Sequence, residues 1–96
     1  MASIPPSLQG VLWSKTVNQL DLAKDKSYVI HQILRFGSLS DIRWLFDTYP
    51  AQVIKQEFIR HPQPIYSKPA LNFIKNTILN LGHKQVDESR YLQSFY

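Results

Sequence analysis

The chain has 96 residues, no cysteine and a formal net charge of +4, from eleven lysines and arginines against seven aspartates and glutamates. This length predicts one domain with a thin core, and the lack of cysteine excludes disulfides and thiolate metal sites. No apolar stretch approaches the roughly 18 residues of a membrane span and the first ten residues do not resemble a signal peptide, so we expect a cytoplasmic protein without a membrane partner.

The basic residues are spread along the chain instead of forming a run. Such an excess favours an acidic partner surface or nucleic acid, but a solvated surface with a mild positive bias explains it as well. Phe, Tyr and Trp make up 12% of the residues. This content predicts an aromatic core, an aromatic contact surface, or both.

Residues 1–24 are predicted to form an N-terminal arm packed on the body. Pro5 and Pro6 oppose a long helix, and the apolar cluster from Leu8 to Trp13 follows them. We expect an extended arm or one short helical turn, held on the body by Trp13 because its large apolar area favours burial.

Residues 25–49 predict a helical hairpin, because apolar residues recur at helical spacing on both sides of a small turn. Gly37 is expected to end the first helix in a left-handed conformation, and Ser38 with Asp41 forms a capping-box pattern that begins the second. The two predicted apolar stripes are Tyr28, Val29, Ile33, Leu34 and Phe36, and Leu39, Ile42, Leu45, Phe46 and Tyr49.

Pro50 suits the first position of a third helix, which runs to about Arg60 and buries Ile54 and Phe58. The prolines of residues 61–64 end it in an extended connector. Ser67, Lys68 and Pro69 open a fourth helix, which Gly82 is expected to stop. Its apolar stripe is Leu71, Ile74, Ile78 and Leu81; Phe73 lies off this line and either widens it or contacts a partner.

The tail, residues 83–96, begins polar and ends with Tyr91, Leu92, Phe95 and Tyr96, which would share one face of a short amphipathic helix. That face should dock either on the protein's own body, beside Trp13, or on a partner or second copy of the chain. The sequence therefore predicts an all-α, compact bundle of four to five short helices, with residues 1–24 as arm, 25–82 as helical domain and 83–96 as tail.

No catalytic or metal-binding set is recognisable. His31, His61 and His83 have no histidine at helical ligand spacing and are expected at the surface or its boundary. The three glycines do not form a phosphate-binding loop, and no nucleophile motif occurs. We therefore expect a protein without enzymatic activity, cofactor or metal.

The corner between the second and third helices has a different interpretation, as a helix-turn-helix that binds operator DNA. The third helix would then enter the major groove, while Arg43 and Lys68 contact phosphates. The groove-reading residues would be Gln52, Lys55, Gln56 and Arg60. Pro50 in the turn, and Asp47 and Glu57 near the phosphates, oppose this interpretation.

The segments VLW, LDLAKDKSYVIHQILRFGSLSDIRWLFDTYP, VIKQEFI and SKPALNFIKNTILNL carry a family pattern. Together they resemble small bacterial proteins encoded beside nucleotidyltransferase toxins of the abortive-infection type, which are regarded as antitoxins. The resemblance covers residues 8–82. Ser14 stands where members often have an acidic residue, and Ile74 where they have a second Trp after Asn-Phe.

The resemblance implies a protein that neutralises such a toxin by protein–protein contact, and antitoxins of this kind often also repress their own operons. A buried aromatic cluster ringed by Arg and Lys would supply the affinity. The expected contact residues are Trp13, Trp44, Phe73, Tyr91, Leu92, Phe95 and Tyr96.

Overall fold

The computed structural model describes residues 4–13, 19–81 and 87–93. Four α-helices occur in these ranges: α1 (Lys26–Phe36), α2 (Leu39–Thr48), α3 (Ala51–Arg60) and α4 (Lys68–Phe73). A 3-10 turn, Pro6–Gly10, precedes them, a π-helical turn, Ile74–Ile78, continues α4, and a second 3-10 turn, Glu88–Arg90, follows. The predicted all-α fold is confirmed.

The turn between α1 and α2 has the predicted capping box. Ser38 Oγ accepts a hydrogen bond from the Asp41 backbone N–H at 3.2 Å, and Asp41 Oδ2 accepts one from the Ser38 N–H at 2.9 Å. The predicted left-handed Gly37 is wrong, since its φ of −75° and ψ of 157° are extended. Glycine is needed there for space, because a Cβ atom would lie 2.6 Å from the Ile33 carbonyl oxygen.

The corner between α2 and α3 consists of Tyr49 and Pro50. Pro50 holds Tyr49 in an extended conformation, with φ of −116° and ψ of 142°, and lies one residue before the start of α3 instead of at its first position. The Tyr49 hydroxyl donates to the Leu22 carbonyl at 2.6 Å, and burial raises the pKa of Tyr49 to about 12. The corner is thereby tied to the segment that leads into α1.

One apolar core joins the helices, and α1 packs against both α2 and α3. Ile42, Leu45 and Tyr49 are buried as predicted. Leu39 and Phe36 were predicted to face the core but are 72% and 37% exposed. Both flank the two-residue turn between α1 and α2, and this end of the hairpin is partly exposed to solvent.

The N-terminal arm is held by buried aliphatic side chains and not, as predicted, by burial of Trp13. Leu8 and Leu12 are buried in the core, while Trp13 is 56% exposed. A hydrogen bond also holds the arm on α1, because Gln32 Nε2 donates to the Val11 carbonyl at 3.0 Å. Leu8 lies in the 3-10 turn, and Leu12, beyond it, donates its N–H to the Leu8 carbonyl at 2.9 Å, which brings both leucines to the core.

The fourth helix begins as predicted but changes form before its expected end. Ser67 Oγ accepts from the Ala70 N–H at 3.3 Å and caps α4. Regular α-helix ends at Phe73, and a π-helical turn follows it. Asn80, shortly after that turn, has a left-handed backbone with φ of 53°. The predicted stop, Gly82, lies outside the described residues. Asparagine tolerates this conformation better than most residues other than glycine.

The tail docks on the protein's own body. Tyr91 is buried, its carbonyl accepts from the Tyr66 N–H, and the Tyr66 carbonyl accepts from the Gln93 N–H, both at 2.9 Å. Lys75 Nζ contacts Glu88 Oε2 at 2.9 Å and lowers the pKa of that carboxyl.

After the 3-10 turn, Leu92 forms an isolated parallel β-bridge with Tyr66, so these described tail residues lie against the connector and not in the predicted amphipathic helix. So short a helix is at most marginally stable by itself in water. In the connector, the Tyr66 backbone N–H and carbonyl are available to hydrogen-bond with the tail. Phe95 and Tyr96, predicted to share the docking face, lie outside the described residues.

Candidate functional site

An exposed aromatic pair lies where the arm meets the end of α1. The Trp13 and Phe36 ring centroids are 4.7 Å apart and their planes cross at 64°, an edge-to-face contact. The Arg35 guanidinium carbon lies 4.8 Å from the Phe36 ring centroid. We call Trp13, Arg35 and Phe36 the aromatic patch.

The aromatic patch is held in place by the residues behind it. Leu12 is fully buried next to Trp13, so the arm cannot move without opening the core. Arg35 Nε donates to the Ile65 carbonyl at 2.9 Å, which fixes the guanidinium above Phe36. The patch is therefore largely ordered before any partner arrives, and this lowers the entropic cost of binding.

A second aromatic group is buried between α1, α3, the connector and the tail. Phe58 stacks on His31, with centroids 5.6 Å apart, and on Tyr91, with centroids 4.7 Å apart. Tyr66 meets His31 and Phe58 edge to face. The Tyr91 hydroxyl donates to the Phe58 carbonyl at 2.7 Å. We call His31, Phe58, Tyr66 and Tyr91 the buried ring cluster.

His31 in this cluster corrects the prediction that it lies at the surface, because it is 1% exposed. Its Nδ1 lies 2.7 Å from the Tyr66 hydroxyl, and burial raises the pKa of Tyr66 far above its ordinary value. The hydroxyl therefore keeps its proton, and it shares one hydrogen bond with Nδ1 whose direction is set by the tautomer of the imidazole. Burial lowers the pKa of His31 to about 4, and the carbonyls of His61 and Glu57 partly oppose this.

A cavity of about 310 Å³ opens beside His31, between the first turns of α1 and the connector. Among the described residues, the buried side-chain polar atoms without a hydrogen-bond partner are Ser27 Oγ and His31 Nε2, and both residues line this cavity. The lining residues are Lys24, Asp25, Ser27, Tyr28, His31, Gln32, Gln63 and Ile65. The cavity was not predicted from the sequence.

Those residues of the predicted partner contact that the structure describes do not form one surface. Trp13 and Phe73 are exposed, at 56% and 46%, and they lie on different elements. Trp44 packs half-buried against the core, and so does Leu92. Tyr91 belongs to the buried ring cluster, so its ring is unavailable to a partner while the tail is docked. Arg35 and Phe36 join Trp13, and the sequence argument did not include them.

The residues of the DNA-binding interpretation lie mostly on the outer side of the corner. Five of them, Arg43, Gln52, Gln56, Arg60 and Lys68, are exposed, and Lys55 is half-buried. Glu57, on α3 as well, is engaged by Lys26 Nζ at 3.3 Å and so faces α1. Asp47 is exposed near the corner and would repel phosphates.

The described ranges contain no cluster of three or more potential metal ligands. The helices in those ranges are also too short and too polar to cross a membrane. Neither finding assigns an activity to the chain.

Comparison with known proteins gives one family and no individual relative. No curated protein and no solved structure matches the chain. A family model described as a family of unknown function, DUF6922, matches residues 8–58. The matched range begins at Leu8, which anchors the arm, and ends at Phe58, which centres the buried ring cluster. It spans more than half of the 96 residues, and the chain therefore belongs to the DUF6922 family.

Proposed function

We propose that this protein is a non-catalytic binding protein, an antitoxin that neutralises a nucleotidyltransferase toxin by direct contact. The observation that carries the proposal is the aromatic patch, with the resemblance to toxin-associated proteins as its second support. Trp13 is 56% exposed and contacts Phe36, and the Arg35 guanidinium lies over the Phe36 ring. Exposed aromatic residues beside an arginine are typical of interface hot spots.

The surroundings of the patch suit a protein partner of opposite charge. Leu39, 72% exposed, begins α2 three residues after α1 ends at Phe36 and adds apolar area at this end of the hairpin. Arg43 is exposed one helical turn further along α2. Together with the net charge of +4, this favours an apolar pocket with an acidic rim on the toxin.

Co-expression with the nucleotidyltransferase of the adjacent gene, followed by size-exclusion chromatography, tests the function. We expect one co-eluting complex and loss of the toxin's growth inhibition. Separate elution of the two proteins at micromolar concentration, with growth inhibition unchanged, would contradict the proposed function.

A matched pair of variants tests the surface. Trp13→Ala with Phe36→Ala should weaken the complex at least tenfold, because truncating central hot-spot residues costs about 2 kcal/mol or more. Phe73→Ala, which removes a similarly exposed ring on another element, should leave the complex intact. If Phe73→Ala weakened the complex and the double variant did not, the toxin would bind the surface around Phe73, and the antitoxin function would be unaffected by this result.

We propose operator binding as a second function, because α3 presents Gln52, Gln56 and Arg60 to solvent at the corner with α2. Phosphate contacts make affinity fall steeply with salt, so a promoter fragment bound at roughly 50 mM salt should be released near 200 mM. Gln56→Ala with Arg60→Ala should abolish the shift, and Trp13→Ala should not. No shift of that fragment at low salt would exclude this second function.

A further inference from the structure

Arg35 in the aromatic patch is held in place but lacks a counter-ion among the described residues. Its Nε donates to the Ile65 carbonyl at 2.9 Å, and its guanidinium carbon lies 4.8 Å from the Phe36 ring centroid. Within the described ranges, its two Nη groups make no ion pair and no hydrogen bond. They are not among the buried atoms that lack a partner either, so they reach solvent. One edge of a fixed guanidinium is therefore open to a ligand.

The acidic residues of the chain are occupied elsewhere. All seven lie in the described ranges, and Asp47 is exposed near the corner between α2 and α3. Of the others, two glutamates pair with lysines and four aspartates accept backbone N–H groups. These residues are Glu57, Glu88, Asp21, Asp25, Asp41 and Asp87. A carboxylate bound to Arg35 would therefore come from another molecule.

The open edge of Arg35 suits a carboxylate. Because Nε is already bonded to the connector, the edge that remains is the one with both Nη groups, which donates two parallel hydrogen bonds to a carboxylate or a phosphate. The Nε bond also restricts the side chain before binding, which lowers the entropic cost of the pair.

The neighbours of Arg35 favour a protein as the source of this anion. Nucleic acid is bound through several phosphates, whereas the aromatic patch contains one cation. Trp13 is 56% exposed and Leu39, at the same end of the hairpin, is 72% exposed. This apolar area is best covered by an apolar side chain that accompanies the carboxylate.

The spacing within the aromatic patch indicates how the two partner side chains are arranged. The guanidinium carbon lies 4.8 Å from the Phe36 centroid, which lies 4.7 Å from the Trp13 centroid. Residues three or four apart on a helix have Cβ atoms about 5–6 Å apart, which is a similar spacing. A helix with a carboxylate one turn from an apolar residue can therefore place one side chain on Arg35 and the other on the rings.

We propose that the aromatic patch binds a helix of a protein partner through one such pair of side chains. The carboxylate accepts two hydrogen bonds from the Nη groups of Arg35, and the apolar side chain one turn away covers Trp13 and Phe36. The proposed antitoxin function, on which this inference rests for the identity of the partner, is thereby deepened to a specific contact.

Calorimetric titration of the full chain with the nucleotidyltransferase of the adjacent gene tests the contact. Arg35→Gln removes the charge and the paired donors and should weaken binding about tenfold, whereas Arg35→Lys keeps the charge and should weaken it about threefold. Arg43→Gln is the matched control, because it removes one charge from an exposed arginine on α2 and should change the affinity less than Arg35→Lys does.

Two outcomes of this titration would overturn the proposal. An equal loss for Arg35→Gln and Arg43→Gln would mean that the net charge matters and the position does not. A folded Arg35→Gln variant with a lower melting temperature and an unchanged affinity would mean that Arg35 only joins α1 to the connector.

A small probe tests the same site without the toxin. NMR titration of the full chain with 3-phenylpropionate, which carries a ring and a carboxylate, should shift the Arg35 Nε–H and the Trp13 indole N–H at tens of millimolar. The matched amide, 3-phenylpropanamide, should shift them much less, and Arg35→Gln should abolish the difference while Arg43→Gln keeps it. Equal shifts by acid and amide, or release of the acid by micromolar single-stranded DNA, would overturn the proposal.

The two experiments separate this inference from the proposed function. Selective binding of the acid without any complex with the nucleotidyltransferase would support the Arg35 site and contradict the antitoxin function. A complex that tolerates Arg35→Gln would support the antitoxin function and overturn the contact at Arg35.

Discussion

The aromatic patch and the buried ring cluster use the same residue types for opposite purposes. In the patch, Trp13 and Phe36 touch one another edge to face and leave much of their area in water. In the cluster, the Tyr66 and Tyr91 hydroxyls have hydrogen-bond partners and the rings are almost fully buried. Aromatic content alone therefore does not distinguish a contact surface from a core; burial and the pairing of polar atoms do.

The largest effect is expected from Tyr91→Ala, which empties one position of the buried ring cluster. Loss of a buried aromatic ring costs about 3–5 kcal/mol of unfolding free energy. Urea denaturation of the variant measures it. A loss below about 1 kcal/mol would show that the tail contributes little to the core and that the two aromatic groups differ less than their burial indicates.

Acid should weaken the cluster through His31. Its pKa is 6.5 when exposed and about 4 in the folded protein, so the unfolded chain binds the proton more tightly. The free energy of unfolding is then unaffected above pH 6.5 and falls by about 3 kcal/mol as the pH drops from 6.5 to about 4. Denaturation at a series of pH values measures this loss.

The control for the acid effect is His31→Phe combined with Tyr66→Phe, which removes the titrating ring and its hydroxyl partner together. Asp21 and Glu88, whose carboxyl pKa values are lowered, remain in this variant and still lose stability in acid. The difference between the two pH profiles isolates His31. Superimposable profiles would contradict the prediction.

Tyr66→Phe tests the hydrogen bond inside the cluster while keeping its ring. His31 Nδ1 would lose its partner at 2.7 Å and remain buried, at a cost of about 1–3 kcal/mol. Thermal denaturation measures the loss, and an unchanged melting temperature would mean that a water replaces the hydroxyl. The chemical shift of His31 Nδ1 should change as well, since Nδ1 would lose its hydrogen-bond partner.

The smallest effect on stability is expected in the aromatic patch. Trp13→Ala removes one edge-to-face contact from a largely exposed site and should cost at most about 1 kcal/mol. The same variant should impair toxin binding, so its stability and its affinity should change independently. A loss of stability as large as that of Tyr91→Ala would show that Trp13 holds the arm after all.

Local sequence patterns predicted the helices well. The Ser38 and Asp41 capping box and the break at Pro50 act within a few residues, and each lies where spacing and residue type predicted it. The inward stripe of α3 is also correct at Ile54 and Phe58. These features depend on interactions inside one turn or one helix, which a single sequence contains.

The errors arise where distant segments meet. Leu39 fits the apolar stripe of α2, but whether anything covers it depends on the other elements. His31 is polar, yet it is buried because Tyr66, which lies 35 residues away, satisfies one of its nitrogens. Its position between Ile30 and Ile33, in an almost uninterrupted apolar run, was the available signal for burial.

The docking of the tail also determines the order in which contacts form during folding. The bond from Tyr91 to Phe58 joins residues 33 apart, whereas α1 and α2 meet across a two-residue turn. Closing the longer loop costs more chain entropy, so the hairpin should be structured in the folding transition state and the tail should join later. A change at Tyr91 would then leave the folding rate almost unaltered and accelerate unfolding by about a hundredfold or more. Kinetic lifetime, as distinct from the speed of folding, would thus depend on the last segment to dock.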